Sequence, residues 1–259
     1  TVLNNTNNYF FIAQSYLRSN KTSPLKIDSA LFEADKLEYA LNEDETLEVR
    51  LTYKDQSLAN IAKIYTFHKY VIDVSYEVTN LSNENLLLTL DNRLKRDSSP
   101  DPAQKKTSPS YVGFAVANEE SIWEKHSFAD LEDDKEDQLL NQKGEFPFNQ
   151  DVKGGFVAFS QKYFVVAWVP NKDEMQHQSL GIPVGYKYNF AINKSDEVTV
   201  ATGESKTFSS QLWVGPELQD QLDELHDGLK HSVDYGIFYI FSKPIHWVLT
   251  KIQSVVPNW

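Results

Sequence analysis

Residues 71–80 read VIDVSYEVTN, and apolar and polar side chains alternate along them without a break. Ile72, Val74, Tyr76 and Val78 fall on one side, Asp73, Ser75, Glu77 and Thr79 on the other. A repeat of two residues belongs to a half-buried β-strand with one face on a core and one in water. The same pattern recurs upstream in LEVRLTY (47–53), with Leu47, Val49, Leu51 and Tyr53 on one face. Downstream, YKYNFAI (186–192) aligns Tyr186, Tyr188, Phe190 and Ile192. GGFVAFSQKYFVVAWVP (154–170) reads as two strands around turn residues 160–162, the second apolar on both faces like a central strand. Short strands, polar turns and few helical stretches predict an all-β chain built of antiparallel sheets, a sandwich.

Two segments interrupt the strands. Residues 97–110, rich in proline, serine and lysine, have the composition of a mobile loop. DLEDDKEDQLLNQKGE (130–145) is densely acidic but lacks the spacing of a calcium hand loop, and reads as a solvated loop or short helix. At Gly215 the pattern changes. In GPELQDQLDELHDGL (215–229), Pro216 is suited to a helix's first turn, and Leu218, Leu222, Leu225 and Leu229 form one apolar stripe.

Composition removes several function classes. The 259 residues suit one large all-β unit, and 41% hydrophobic residues supply a core. A formal net charge of −12 repels phosphate backbones and argues against nucleic acid as a partner. With no cysteine, disulfides and thiolate zinc sites are excluded. The six histidines show no zinc spacing, and His226 and His231 are expected at the surface. No nucleophile elbow, P-loop or dinucleotide turn is present, so no catalytic residue, metal or cofactor is assigned. Four Asn-x-Ser/Thr triplets begin at Asn4, Asn20, Asn80 and Asn193, a pattern common by chance in Asn-rich chains. No apolar run is long enough to span a bilayer, and the first residues lack the features of a signal peptide, so the chain is expected to be cytosolic or to have its targeting segment elsewhere.

The last 27 residues, VDYGIFYIFSKPIHWVLTKIQSVVPNW (233–259), carry no acid after Asp234. On a helical wheel Ile245, Val248, Leu249, Ile252, Val255 and Val256 fall within about 120°. Lys251 lies on the polar side, Trp247 away from the apolar centre, and Pro244 is placed to start the helix. Such a helix suits a membrane surface bearing anionic lipid; packing of the stripe on the chain's own sandwich is the other reading.

LWVGPELQDQLDELHDGLKHSVDYGIFYIFSKPIHWVLTKI (212–252) resembles the segment joining the periplasmic domain to the membrane core in YidC-type membrane protein insertases of Gram-negative bacteria. The resemblance rests on L-W-V-G-P-E at Leu212–Glu217, on V-D-Y-G at Val233–Gly236 with Asp234 and Tyr235, and on the turn reaching Pro244. Residues 153–170 and 185–187 also fit that family, and residues 51–80 fit it more loosely.

It implies a β-supersandwich similar to the galactose mutarotase and carbohydrate-binding superfold at 1–214, then a C-terminal helical segment at 215–259 with its amphipathic helix at 245–256. Gly215, Pro216, Asp234, Tyr235, Gly236 and Pro244 would couple the sandwich to the membrane core. Transmembrane helices would lie before Thr1 and after Trp259. It further implies a place at the periplasmic face of the inner membrane and a non-enzymatic role in inserting and folding membrane proteins, alone or with the Sec translocon. Its partners would be Sec auxiliary proteins, nascent inner-membrane proteins and the membrane surface. Outside that family the alternatives are a sugar-epimerase-like enzyme, which needs a His and a carboxylate together in a cleft, and a carbohydrate-binding module, which needs exposed aromatic platforms.

Overall fold

A computed structural model describes residues 3–6, 9–20, 25, 27, 31–40, 46–53, 57–99, 111–117, 122–140 (135–140 by backbone alone), 146–161, 163–183 and 185–232. The strands, in chain order, are β1 Asn4–Thr6, β2 Tyr9–Ser19, β3 Phe32–Ala34, β4 Leu47–Tyr53, β5 Ala59–Phe67, β6 Val71–Asn80, β7 Leu86–Arg96 and β8 Val112–Val116. They continue with β9 Glu124–Ser127, β10 Phe148–Lys153, β11 Val157–Gln161, β12 Phe164–Pro170, β13 Met175–Gly181, β14 Asn189–Ser195, β15 Val198–Val200 and β16 Ser205–Pro216. Helix α1 is Phe128–Leu140 and α2 is Gln219–Leu225, with a 3-10 turn at Leu229–Ser232.

Among the described residues all strand pairs are antiparallel and form two sheets. The first runs β1-β2-β7-β14-β13-β10 with β15 beside β7, and the second β3-β4-β5-β6-β16-β12-β11-β8-β9. Between them lies the main core, with Phe11, Leu94, Phe114, Tyr76, Phe159, Trp168 and Leu212 among its buried side chains. The all-β sandwich expected from the alternation is the observed architecture, and the helices are minor.

In β6 the periodicity is obeyed: Val74, Tyr76 and Val78 are buried. The 157–170 hairpin turns later than expected, because Gln161 pairs directly with Phe164. In β14 the expected inward stripe points the other way. Ala191 pairs with Leu94 and joins the core, so Asn189, Ala191 and Asn193 face inward, while Phe190 and Ile192 lie on the outer side. The outer side is covered locally, by Tyr186 and Phe146 edge-on to Phe190 and by Lys95 over its ring.

The acidic segment is helical from Phe128, and its start is a capping box: Asp130 N–H donates to Ser127 Oγ, and Ser127 N–H donates to Asp130 Oδ2. It is not wholly solvated, since Leu131 is fully buried and Phe128 stacks on Phe159. The proline-rich loop is tied at its start. The buried Arg96 guanidinium donates to the carbonyls of Asp97 and Ser99, each at 2.7 Å, under the Tyr9 ring. Residues 100–110 lie outside the described residues. Asn80 and Asn193 are fully buried, which removes two of the Asn-x-Ser/Thr triplets as glycosylation acceptors in the folded chain.

Candidate functional site

The coupling residues inferred from sequence begin at Gly215 and Pro216, and the structure places both at the end of β16. Pro216 pairs with Phe164, so it closes a strand and does not open the helix; α2 starts three residues later. No side chain caps it, Leu218 occupying the cap position. Leu222 and Leu229 are fully buried and Leu225 packs beside them, but one continuous helix does not carry them. The chain leaves α2 at His226 and re-forms as the 3-10 turn.

These leucines seal a second core on the outer face of the nine-stranded sheet. Ala117, Phe156, Ala158, Val165, Ala167, Val169 and Trp213 supply its floor. Residues of β12 and β16 therefore bury both faces, as a continuous apolar run in a central strand requires. Several contacts fix the junction. Glu217 N–H donates to Tyr163 O at 3.0 Å, Val214 N–H to Tyr70 O at 2.9 Å, and Lys230 pairs with Asp223 at 2.7 Å. Gly228 allows a close pass, because a Cβ there would come within 2.5 Å of Ile122 O.

His226 is a correction to the surface expectation. It is half-buried, its ring edge-on to Phe156 at 4.9 Å. Nε2–H donates to Gly154 O at 3.2 Å, and Nδ1 accepts the Gly228 N–H at 3.0 Å. That pattern requires the neutral ring. Burial lowers its pKa, against the opposing pull of the Gly154 bond and Asp227. His231 is exposed as expected. No local spacing marks His226, since Gly154 and Phe156 are remote in sequence.

Asp234, Tyr235, Gly236, Pro244, Ile245, Trp247, Val248, Leu249, Lys251, Ile252, Val255 and Val256 all lie outside the described residues.

Two clefts bear on the sugar-directed alternatives. One, of about 500 Å³, lies on the outer face beside α2 and includes Asp73 and His226. Both nitrogens of His226 are held by backbone, and Asp73 is bonded to His68 and Gln211, so the two do not form a pair with each other. The other, of about 400 Å³, opens between the sheets at Leu90, Ser195 and Phe208 and, among the described residues, is lined by no histidine. His177 does meet carboxylates, Asp151 at 2.6 Å and Asp196 at 2.9 Å, but on the exposed outer face of the first sheet. The ring of Tyr188 is covered by Lys95 at 4.2 Å and is not an open platform for a sugar. Among the described residues no group of His, Cys, Asp and Glu is arranged to hold a metal ion, and no helix is long and apolar enough to cross a membrane.

The family model for the YidC periplasmic domain matches residues 1–248. The chain belongs to the YidC periplasmic domain family. Membrane protein insertase YidC of Alkalilimnicola ehrlichii is 34% identical over 238 residues, covering 89% of this chain and 39% of that protein. The insertase of Shewanella piezotolerans is 32% identical, covering 100% and 46%, and that of Haemophilus influenzae 30% identical, covering 100% and 46%. The chain thus spans less than half the length of the curated relatives it matches. Among solved structures, a galactose mutarotase related enzyme from Lactobacillus acidophilus aligns with a TM-score of 0.41 at 11% identity, covering 71% of this chain and 70% of that one. The galactosidase domain of an alpha-galactosidase-sucrose kinase aligns with a TM-score of 0.43 at 8% identity, covering 85% and 30%.

Proposed function

We propose that this chain is the periplasmic domain of an inner-membrane protein insertase and acts there as an accessory scaffold. In this reading the β-sandwich makes and breaks no bonds. It offers docking surfaces to nascent membrane proteins and to auxiliary proteins of the Sec translocon. Residues 1–214 are the scaffold, and 215–259 couple it to the membrane-embedded part at the periplasmic face. Family membership supports the reading, and the observation that carries it is the second core. Leu222, Leu225 and Leu229 anchor the chain rigidly to the outer face of the nine-stranded sheet just before it continues to Val233. A connection tied in this way transmits position and orientation, which a free linker would not.

The same reading gives the 245–256 helix a membrane-surface contact through Ile245, Val248, Leu249, Ile252, Val255 and Val256, with Trp247 at its flank. Burying that stripe contributes several kcal/mol at ~25 cal/mol per Å² of apolar area, and Lys243 and Lys251 add about 1 kcal/mol each near anionic lipid. Vesicle flotation tests it, comparing this chain with a Leu249→Asp, Ile252→Asp variant at low and high salt. The expected result is that the chain floats on anionic vesicles and the folded variant does not. If neither floats and the variant unfolds, the stripe belongs to the sandwich.

A further inference from the structure

The inner face of the first sheet carries a row of polar side chains through an otherwise apolar core. Ser15 of β2 pairs with Asn92 of β7, Asn92 with Asn193 of β14, Asn193 with Gln178 of β13, and Gln178 with Gln150 of β10. Directly paired residues project to the same side of a sheet, so these five form one seam at right angles to the strands. The next row along, Ala13, Leu94, Ala191, Leu180 and Phe148, is entirely apolar. Ser15, Asn92, Asn193 and Gln178 are buried, the last three to 1% exposure or less.

The two halves of the seam differ. On the glutamine side Gln150 Nε2 donates to Gln178 Oε1 at 2.7 Å, and Gln178 Nε2 to Phe156 O at 2.9 Å. On the other side Asn193 Nδ2 reaches Gly155 O at 3.0 Å, but Asn193 Oδ1, Asn92 Oδ1 and Ser15 Oγ meet no donor among the described residues. The Ser15 backbone is held in place, its carbonyl accepting both Lys63 Nζ at 2.8 Å and Tyr76 Oη–H at 2.7 Å. A buried acceptor left unmet carries the full cost of its lost hydration, and three together weigh heavily against the small net stability of a domain. Something must donate to them.

Cross-strand neighbours stand about 5 Å apart, close to two hydrogen bonds of about 2.8 Å laid end to end. One water between each successive pair fits that spacing. The inter-sheet cleft comes close to the seam. Leu90 and Ser195 line the inter-sheet cleft of about 400 Å³, and each lies two residues along its strand from Asn92 and Asn193 on the same inner face.

We infer that the Ser15–Asn92–Asn193 seam is a binding site for ordered internal water, a short file that donates to the three orphaned oxygens and exchanges with solvent through the cleft at Leu90, Ser195 and Phe208. The file stops at Gln178, where side chain and backbone already satisfy one another. The seam also fixes register: a one-residue slip of β7 or β14 would turn its asparagine outward and bring a neighbour such as Arg93 or Ile192 into the core.

Magnetic relaxation dispersion of water ¹⁷O and ²H counts internal waters that live longer than nanoseconds. Wild type is compared with Asn92→Leu, Ser15→Ala and, at the satisfied end, Gln150→Met. The expected result is a slow-water amplitude that falls by about two molecules in Asn92→Leu, by about one in Ser15→Ala, and not at all in Gln150→Met. Equal amplitude in wild type and Ser15→Ala, which adds no bulk and keeps the fold, overturns the inference whether or not Asn92→Leu folds. So does a loss of the same size in Gln150→Met.

Discussion

Tyr70 closes over Gly215 so tightly that a Cβ on the glycine would lie 2.9 Å from Cδ1 of its ring. The same ring packs against Trp213 at 5.5 Å, and the Tyr70 carbonyl accepts the Val214 N–H. The loop entering β6 and the end of β16 are thereby locked together where the sandwich hands over to the C-terminal segment. Gly215→Ala forces the ring aside and is expected to cost about 1–3 kcal/mol, as overpacking does. Denaturant unfolding followed by tryptophan fluorescence measures it; an unchanged midpoint would show that Tyr70 yields without cost.

Leu222 and Leu229 are fully buried in the second core, away from the main one. Truncating either to Ala is expected to cost about 2–5 kcal/mol locally. The loss should appear as faster amide exchange at 219–232, while β6 and β12 stay protected. Equal loss of protection throughout would mean the two cores unfold as one.

His226 and His177 tie stability to pH in opposite senses. Burial holds His226 below the ordinary value of 6.5, so its contribution is complete above 6.5 and is lost as pH falls through the folded value. His177 is raised, chiefly by its bond to Asp151 and further by Asp196, against the effect of burial. Its contribution is complete below 6.5 and is lost as pH rises through the folded value. Amide exchange from pH 5 to 8 should show the junction loosening in acid and the β10–β13 edge loosening towards alkali. His226→Gln should abolish the first trend and His177→Gln the second. Slopes that survive both substitutions would assign the pH dependence elsewhere.

Lys63 faces inward from β5, and burial pulls its pKa down from 10.5 to about 8. A lowered lysine destabilises the fold wherever it is charged, so stability rises as pH climbs from about 8 to 10.5. Lys63→Met should raise Tm at pH 7 and flatten that rise, with Tyr76 still donating to Ser15 O. A lower Tm at pH 7 would show that the Lys63–Ser15 bond outweighs the cost of burying the charge.

Much of the fold is legible in the sequence because alternation is a local signal. It locates β4, β6 and the 157–170 hairpin, and the apolar run of β12 marks a central strand. Alternation does not say which face is inward when both are covered, and this is why Phe190 and Ile192 read as core in place of Ala191 and Asn193. At Pro216 local chemistry suits a helix start, but pairing with Phe164 keeps the residue in the sheet. His226 is unreadable for a related reason, since its burial depends on Phe156 and Gly154 arriving from the far side of the chain. The polar seam is invisible too: Ser15, Asn92, Asn193, Gln178 and Gln150 come from five strands and meet only through register.

Coupling of the sandwich to the membrane part through the second core is tested most directly in a full-length insertase carrying this domain. Insertion of a model membrane protein is measured in reconstituted vesicles for wild type and for Leu222→Ala, Leu229→Ala together, with amide exchange confirming an intact main core. Clearly reduced insertion is expected when 219–232 is loosened and the sandwich remains folded. Undiminished insertion by that variant, with the junction demonstrably open, would contradict the coupling role.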